Sequence, residues 1–223
     1  MRIPSTFVQW FSVWVITMGF SCAPSYQIID RPIVWNQERE ALTLDYLAER
    51  YGLQRKSPTI VPRMIVLHWT AIPTFSESFE AFDTPRLSGR ADIQGAGALN
   101  VSAHFLVDRD GTIYRLMPET TMARHVIGLN HCAIGIENVG GTAETPLTKA
   151  QLKSNIWLVS QLSETYGIEY LIGHYEYTYF EGHSLWLEKD DGYRTEKTDP
   201  GTDFMKKVRS ETKKYQFKKI PLK

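Results

Sequence analysis

Met64-Ile65-Val66-Leu67 is an uninterrupted apolar run that ends on His68-Trp69-Thr70. Four consecutive apolar residues leave no face for solvent, so the run reads as a strand buried on both sides. That demand constrains the whole chain, because other strands must flank it and helices must cover the sheet. It also puts His68 at the C-terminal end of the strand, the edge where open α/β sheets hold their ligands. A lone histidine there is more often a structural hydrogen-bonder than a metal ligand, and its partners decide.

The other segments supply what the run needs. Asn36 to Gly52 predicts a helix, with Leu44, Leu47 and Tyr51 at helical spacing and Gly52 as its C-cap, packed on the main domain. Residues 24–36, with two prolines, read as an irregular tether. Phe75 to Phe82 fits a short helix, and Arg86 to Ala98, with three glycines, a loop near the site. Ala103 to Val107 and Thr112 to Leu116 flank Asp108-Arg109-Asp110-Gly111, a hairpin signal. Ala133 to Val139 is another strand, interrupted by Glu137. A carboxylate there needs a partner or a function, unless it faces solvent at a sheet edge. Thr148 to Tyr166 is the clearest helix: Thr148 and Gln151 make a capping box, Leu152, Ile156, Val159 and Leu162 form the core-facing stripe, and Gly167 ends it. Glu169 to Ile172 is a short strand that delivers Gly173-His174, and Thr202 to Tyr215 is a last helix with Phe204 and Val208 inward. The expected fold is α/β: a single domain with a central mixed β-sheet flanked by helices, and an N-terminal helical extension.

Residues 1–21 have the form of a targeting leader. Arg2 is the only charge, and the apolar run from Phe7 to Phe20 is too short to span a bilayer. The run stops at Gly19-Phe20-Ser21-Cys22, which resembles a bacterial lipoprotein signal whose cysteine is lipidated; Gly19 departs from the usual leucine. The implied protein is anchored to a membrane through a lipid on Cys22, not threaded through it. The expected location is the cell envelope, at the outer membrane facing the periplasm. Cys132 is then left without a partner, so no internal disulfide is expected. Lysine plus arginine and aspartate plus glutamate both number 25, a balance that argues against a nucleic-acid partner. A monomer is expected.

Lys197-Thr198-Asp199-Pro200-Gly201 sets a cation and a carboxylate two residues apart, on a backbone stiffened by Pro200 and released by Gly201. By itself the stretch is also a good surface turn with a salt bridge. Side by side, His68, His174 and Asp199 are two imidazoles and a carboxylate, a set suited to Zn2+ with a fourth position open. His183 is a rival to His174, which the strand-end position favours. His104 and His131 read as structural or surface residues, and a Cys132/His131 pair as a poor nucleophile, since neighbours on a strand face opposite ways.

Seven segments stand in an order found in one family: Leu67-His68-Trp69-Thr70, Asn100 to Phe105, Asp110 to Tyr114, His125-Val126-Ile127-Gly128-Leu129-Asn130, Ile134-Gly135-Ile136-Glu137, Ile172-Gly173-His174, and Lys197 to Gly201. Over about residues 64–208 the chain resembles the zinc-dependent N-acetylmuramoyl-L-alanine amidases of type 2, the family of T7-type phage lysozyme and the animal peptidoglycan recognition proteins. The resemblance implies a zinc amidase domain over residues 61–215, with residues 22–60 as tether and helical extension and 216–223 as a basic tail. It implies His68, His174 and Asp199 as metal ligands, Glu137 and Lys197 as catalytic groups, and His125 as a residue lining the substrate cleft. Trp69 offers an apolar face to sugar or peptide, or else a core contact. The implied reaction is hydrolysis of the amide between N-acetylmuramic acid and L-alanine in peptidoglycan or muropeptides. A peptidoglycan-recognition module without catalysis is the alternative, which the full set of ligands disfavours. Ala103 stands where some relatives carry a catalytic tyrosine, which shifts weight onto Glu137. The aromatic segment 175–196 is expected to form a wall or lid over the cleft.

Overall fold

The computed structural model describes residues 26–221; the leader and Cys22 lie outside the described residues. Six strands form one sheet in the order β1-β4-β3-β5-β2-β6. They are β1 (Ile28–Asp30), β2 (Met64–Leu67), β3 (Phe105–Val107), β4 (Ile113–Arg115), β5 (Ala133–Asn138) and β6 (Tyr170–Gly173). Neighbours are parallel except β3 and β4, the expected hairpin. The helices are α1 (Gln37–Tyr51), α2 (Phe75–Asp83), α3 (Ala91–Gln94), α4 (Lys149–Thr165) and α5 (Thr202–Glu211), with 3-10 turns at His174–Phe180 and Lys213–Tyr215. The mixed sheet with flanking helices is the architecture expected from the sequence.

Alternation along β2 separates two cores. Ile65 and Leu67 pack with Ile134 and Ile136 of β5 under α4 and α5, where Leu158, Val159, Leu162, Met205 and Val208 are buried. Met64 and Val66 face the other way, with Ala133, Ile172, Tyr177, Phe180 and Leu185. Both faces of β2 are therefore dry, as its composition requires.

The stripe predicted for α4 is rotated. Gln151, Ser154, Asn155, Leu158, Val159 and Leu162 are buried, while Leu152 and Ile156 pack only at the margin. Polar residues take core positions because the sheet gives them partners. Gln151 Nε2 donates to the carbonyls of Val107 (3.2 Å) and Val139 (2.9 Å), and Asn155 Nδ2 donates to Asn138 Oδ1 at 2.7 Å. A buried amide with every partner in place costs little and fixes the helix along its axis. The capping box of Thr148 and Gln151 is present, but the helix ends at Tyr166 in extended backbone, not at Gly167.

Four further expectations are corrected. The tether over 24–36 contains β1, which extends the sheet beside β4, while Tyr26 stacks on Trp157 with centroids 5.3 Å apart. The loop of Arg86 to Ala98 includes the single turn of α3, and the last helix stops at Glu211 before the 3-10 turn. The segment 175–196 is not a lid. Tyr177, Phe180 and Leu185 are buried in the second core, with Trp186 stacked on Tyr177 (centroids 6.1 Å apart, 25° between planes). Only Tyr193 and Thr195 of its C-terminal part reach the cleft described below.

Candidate metal centre

The site begins with strand register. Leu67 of β2 pairs with Ile136 of β5 on one side and with Gly173 of β6 on the other. The next residue on each strand is therefore His68, Glu137 and His174, in one row along the C-terminal edge of three parallel strands. Asp199 is brought over them by the turn before α5, where the Tyr175 N–H donates to the Asp199 carbonyl (3.2 Å) and the Gly201 N–H to Thr198 O (2.9 Å). Gly201 takes φ 86°, which a side chain would resist.

Three donor atoms converge. His68 Nδ1 lies 2.9 Å from His174 Nδ1 and 3.2 Å from Asp199 Oδ2, and His174 Nδ1 lies 3.0 Å from the same oxygen. The hydrogen-bond pattern decides what His68 presents. His125 Nε2 faces the Ala133 carbonyl at 3.2 Å, so that nitrogen carries the proton. His125 Nδ1 must then accept, and it accepts from His68 Nε2–H at 3.0 Å. His68 Nδ1 is left with its lone pair aimed at His174 and Asp199. Burial, and then the neighbouring His174, push the His68 pKa down to about 4, which keeps the imidazole neutral. The Asp199 carboxyl is held below the usual carboxylate range by His174 and His68, although burial opposes this. A neutral imidazole, a second imidazole and a carboxylate, all within 4.8 Å of one another, are a donor set that fits a divalent ion with a position left for solvent.

Glu137 stands at the rim of this set. β5 lies between β3 and β2, so the carboxylate is inside the sheet and not at a solvent edge. Its Oε1 is 4.0 Å from His68 Nδ1, and its Oε2 is buried without a hydrogen-bond partner. Burial, helped by the charge of Asp199 and opposed by Lys197, raises its pKa to about 8. Glu137, Lys197, Trp69 and His125 all line the cleft of about 320 Å³ that opens over the three donors. His125 also supports His68 through its ring. Trp69 lies against Gly141, whose positive φ (104°) and missing Cβ admit the indole.

The rival assignments fall away. His183 accepts the Leu185 N–H on Nδ1 (3.2 Å) and faces the Tyr170 hydroxyl at 3.4 Å, outside the donor set. His104 is structural: its Nδ1 accepts the Gly135 N–H (2.9 Å) and its Nε2 donates to Thr121 O (2.9 Å). Burial pushes the Cys132 thiol up to about 12, which leaves no nucleophile there. Sequence reasoning missed Tyr46, Arg90, Ser102 and Arg124, which complete the cleft wall. Arg124 is buried and spends its donors on the carbonyls of Ile93 (2.8 Å) and Gly97 (3.2 Å), on that of Leu99 and on the Tyr193 hydroxyl (3.2 Å). It thereby ties the loop around α3 to the body. No local pattern marks an arginine for such a role.

Comparison with known proteins agrees with this geometry. The chain is 34% identical over 85 residues to the endolysin of Escherichia phage T7, and 31% identical over 85 residues to the endolysin of Klebsiella phage KP32. Each match covers 36% of this chain and 56% of the relative, so it spans about half the length of these curated proteins. The fold is that of the N-acetylmuramoyl-L-alanine amidase LysC from Clostridium intestinale, with TM-score 0.53, 24% identity, and coverage of 87% of this chain and 100% of that one. A family model described as N-acetylmuramoyl-L-alanine amidase matches residues 54–202, which include His68, Glu137, His174, Lys197 and Asp199, and the chain belongs to that family.

Proposed function

We propose that the protein is a zinc-dependent hydrolase that cleaves the amide between the lactyl group of N-acetylmuramic acid and the L-alanine of the stem peptide. The observation that carries this reading is the convergence of His68, His174 and Asp199 beneath one cleft that also holds Glu137 and Lys197. His68, His174 and Asp199 would hold the ion. A zinc ion so held supplies Lewis acidity, lowering the pKa of water toward ~7 and polarising a carbonyl. Glu137 accepts the proton of the attacking water and returns it to the nitrogen of the leaving L-alanine, so that the amine departs neutral. Its buried, unpaired Oε2 is suited to that exchange. The Lys197 ammonium meets the negative charge that develops on the scissile carbonyl oxygen. Trp69 lines the cleft beside the first ligand and would hold an apolar face of sugar or peptide. His125 serves the ligand His68 more than the substrate.

The substrate class, peptidoglycan or muropeptides, follows from family membership. We place the protein at the cell envelope, held by a lipid on Cys22, a reading supported by the leader-like pattern of residues 1–22.

The test is incubation of purified peptidoglycan with residues 23–223, with zinc assayed on the same sample. New L-alanine amino termini together with one bound zinc, both lost in Asp199→Ala, support the reading. Zinc bound and wall fragments retained without release would make the protein a recognition module. Absence of zinc would overturn the ligand assignment.

A further inference from the structure

Helix α1 precedes residues 54–202, the span matched by the family model, and sequence alone gives it no chemistry. It nevertheless reaches the metal centre through a line of buried hydrogen bonds. Tyr51, the last residue of α1, is 5% exposed, and its hydroxyl accepts from Asn130 Nδ2 at 2.9 Å. Asn130 Oδ1 in turn accepts the backbone N–H groups of His125 and Val126, both at 2.8 Å. Those two bonds fix the backbone from which the His125 side chain sets out. His125 Nδ1 then receives the Nε2–H of His68 at 3.0 Å, with its own Nε2–H tied to Ala133 O. The ring has no lateral freedom on its sheet side: a Cβ at Gly135 would lie 2.7 Å from it.

The far end of the line is anchored as well. Tyr51 meets the rings of Tyr46 and His131 edge-on, with centroids 5.5 and 5.7 Å apart. The adjacent Arg50 pairs with the buried Glu188 at 2.7 Å and lies over the Tyr193 ring at 4.7 Å. Asn130 Nδ2 has no protein acceptor besides Tyr51 among the described residues. Loss of that acceptor would leave a buried amide to turn in search of another, and Oδ1 would move with it.

We propose that Tyr51 is a positioning residue for the metal ligand His68, acting through Asn130 and His125, so that α1 is part of the catalytic unit. The inference rests on the metal-centre reading above. Tyr51→Phe keeps the ring packing and removes only the hydroxyl. It is compared with wild type, with His125→Leu and with the double variant; His125→Ala serves the same arm should the leucine variant not fold. Three quantities are measured: the zinc dissociation constant by competition with a chelator, the visible spectrum of the cobalt(II)-loaded protein, and the thermal midpoint of the metal-free protein. Loss of a residue that directly supports a metal ligand weakens binding about 10–100-fold, and two hydrogen bonds further out about 3–10-fold is expected for Tyr51→Phe, with a changed cobalt spectrum. In the His125→Leu background the same substitution should alter zinc affinity by less than about twofold, because the line is already broken. A Tyr51→Phe protein with wild-type zinc affinity and cobalt spectrum, lower only in thermal midpoint, overturns the inference. So does a Tyr51→Phe effect that persists in full without His125. A wild-type protein that binds no zinc overturns the metal reading and this inference together, and is told apart by the wild-type sample alone.

Discussion

Glu137 concentrates the functional argument at the scale of single residues. Its carboxyl is pushed from 4.5 to about 8 by burial and by the nearby Asp199. A group raised in the folded state keeps its proton there between those two values, while the unfolded chain has already released it. Its contribution to stability is therefore complete below pH 4.5 and is lost as pH rises through 8. In chelator-treated protein, Glu137→Gln is expected to exceed wild type in unfolding free energy by up to ~5 kcal/mol above pH 8, with the gap closing toward pH 4.5. Denaturant titrations at both ends of the range check this, and an unchanged gap contradicts it. In the zinc-loaded enzyme the same substitution should lower hydrolysis by about 10²–10⁴-fold with zinc stoichiometry intact, since it removes proton transfer and no ligand. Lys197→Met should reduce kcat by about 10²–10³-fold with KM little changed, because the charge it meets exists only in the transition state. Stopped or continuous assays on one muropeptide distinguish the two variants from Asp199→Ala, which loses the metal. The residue types at the site were legible in the sequence: His68 and His174 follow apolar strands, and Glu137 interrupts one. The tautomer of His68 was not, because it is set by His125 and the Ala133 carbonyl, distant in sequence.

Among the elements, α4 shows most clearly how far periodicity reaches. Its start was readable because Thr148 and Gln151 satisfy one another within four residues. Its buried face was misjudged, because Gln151 and Asn155 are polar by composition and core-facing by partnership with β3 and β5. Gln151→Ala strips a donor from the carbonyls of Val107 and Val139 and should destabilise the protein by about 1–3 kcal/mol. Leu158→Ala, in the apolar part of the same face, should cost about 2–5 kcal/mol. Exposed Lys153→Ala should change stability by less than about 0.5 kcal/mol. Urea midpoints of the three variants rank the contributions, and an inert Gln151→Ala would contradict the polar anchoring. The segment 175–196 failed as a lid for a related reason. Aromatic content by itself does not separate a wall over a cleft from a core beneath it, and Tyr177 and Phe180 went to the core.

For the whole molecule, the three donors of the metal centre come from β2, the end of β6 and the turn before α5, so an ion there would tie distant parts of the chain together. Zinc at about 1,000 times its dissociation constant should add ~4 kcal/mol to unfolding. For a chain of this size that is about 8–16 °C in thermal midpoint. Removal of zinc with a chelator should reverse the gain, and Asp199→Ala should erase the response. A midpoint indifferent to zinc in the wild type would contradict the site. The sequence by itself determined every strand but β1, every helix but the single turn of α3, and the kinds of group at the strand ends. Those follow from short-range rules, in which apolar runs, caps and Asp-Gly turns act within a few residues. Tertiary structure decided which of those groups meet. Only the pairing of Leu67 with both Ile136 and Gly173 sets His68, Glu137 and His174 in one row. Only packing brings Tyr51 of α1 to Asn130 and so within reach of the ligand. Register and helix docking are settled by the burial of whole faces, a property of the assembled sheet that no local stretch of residues carries.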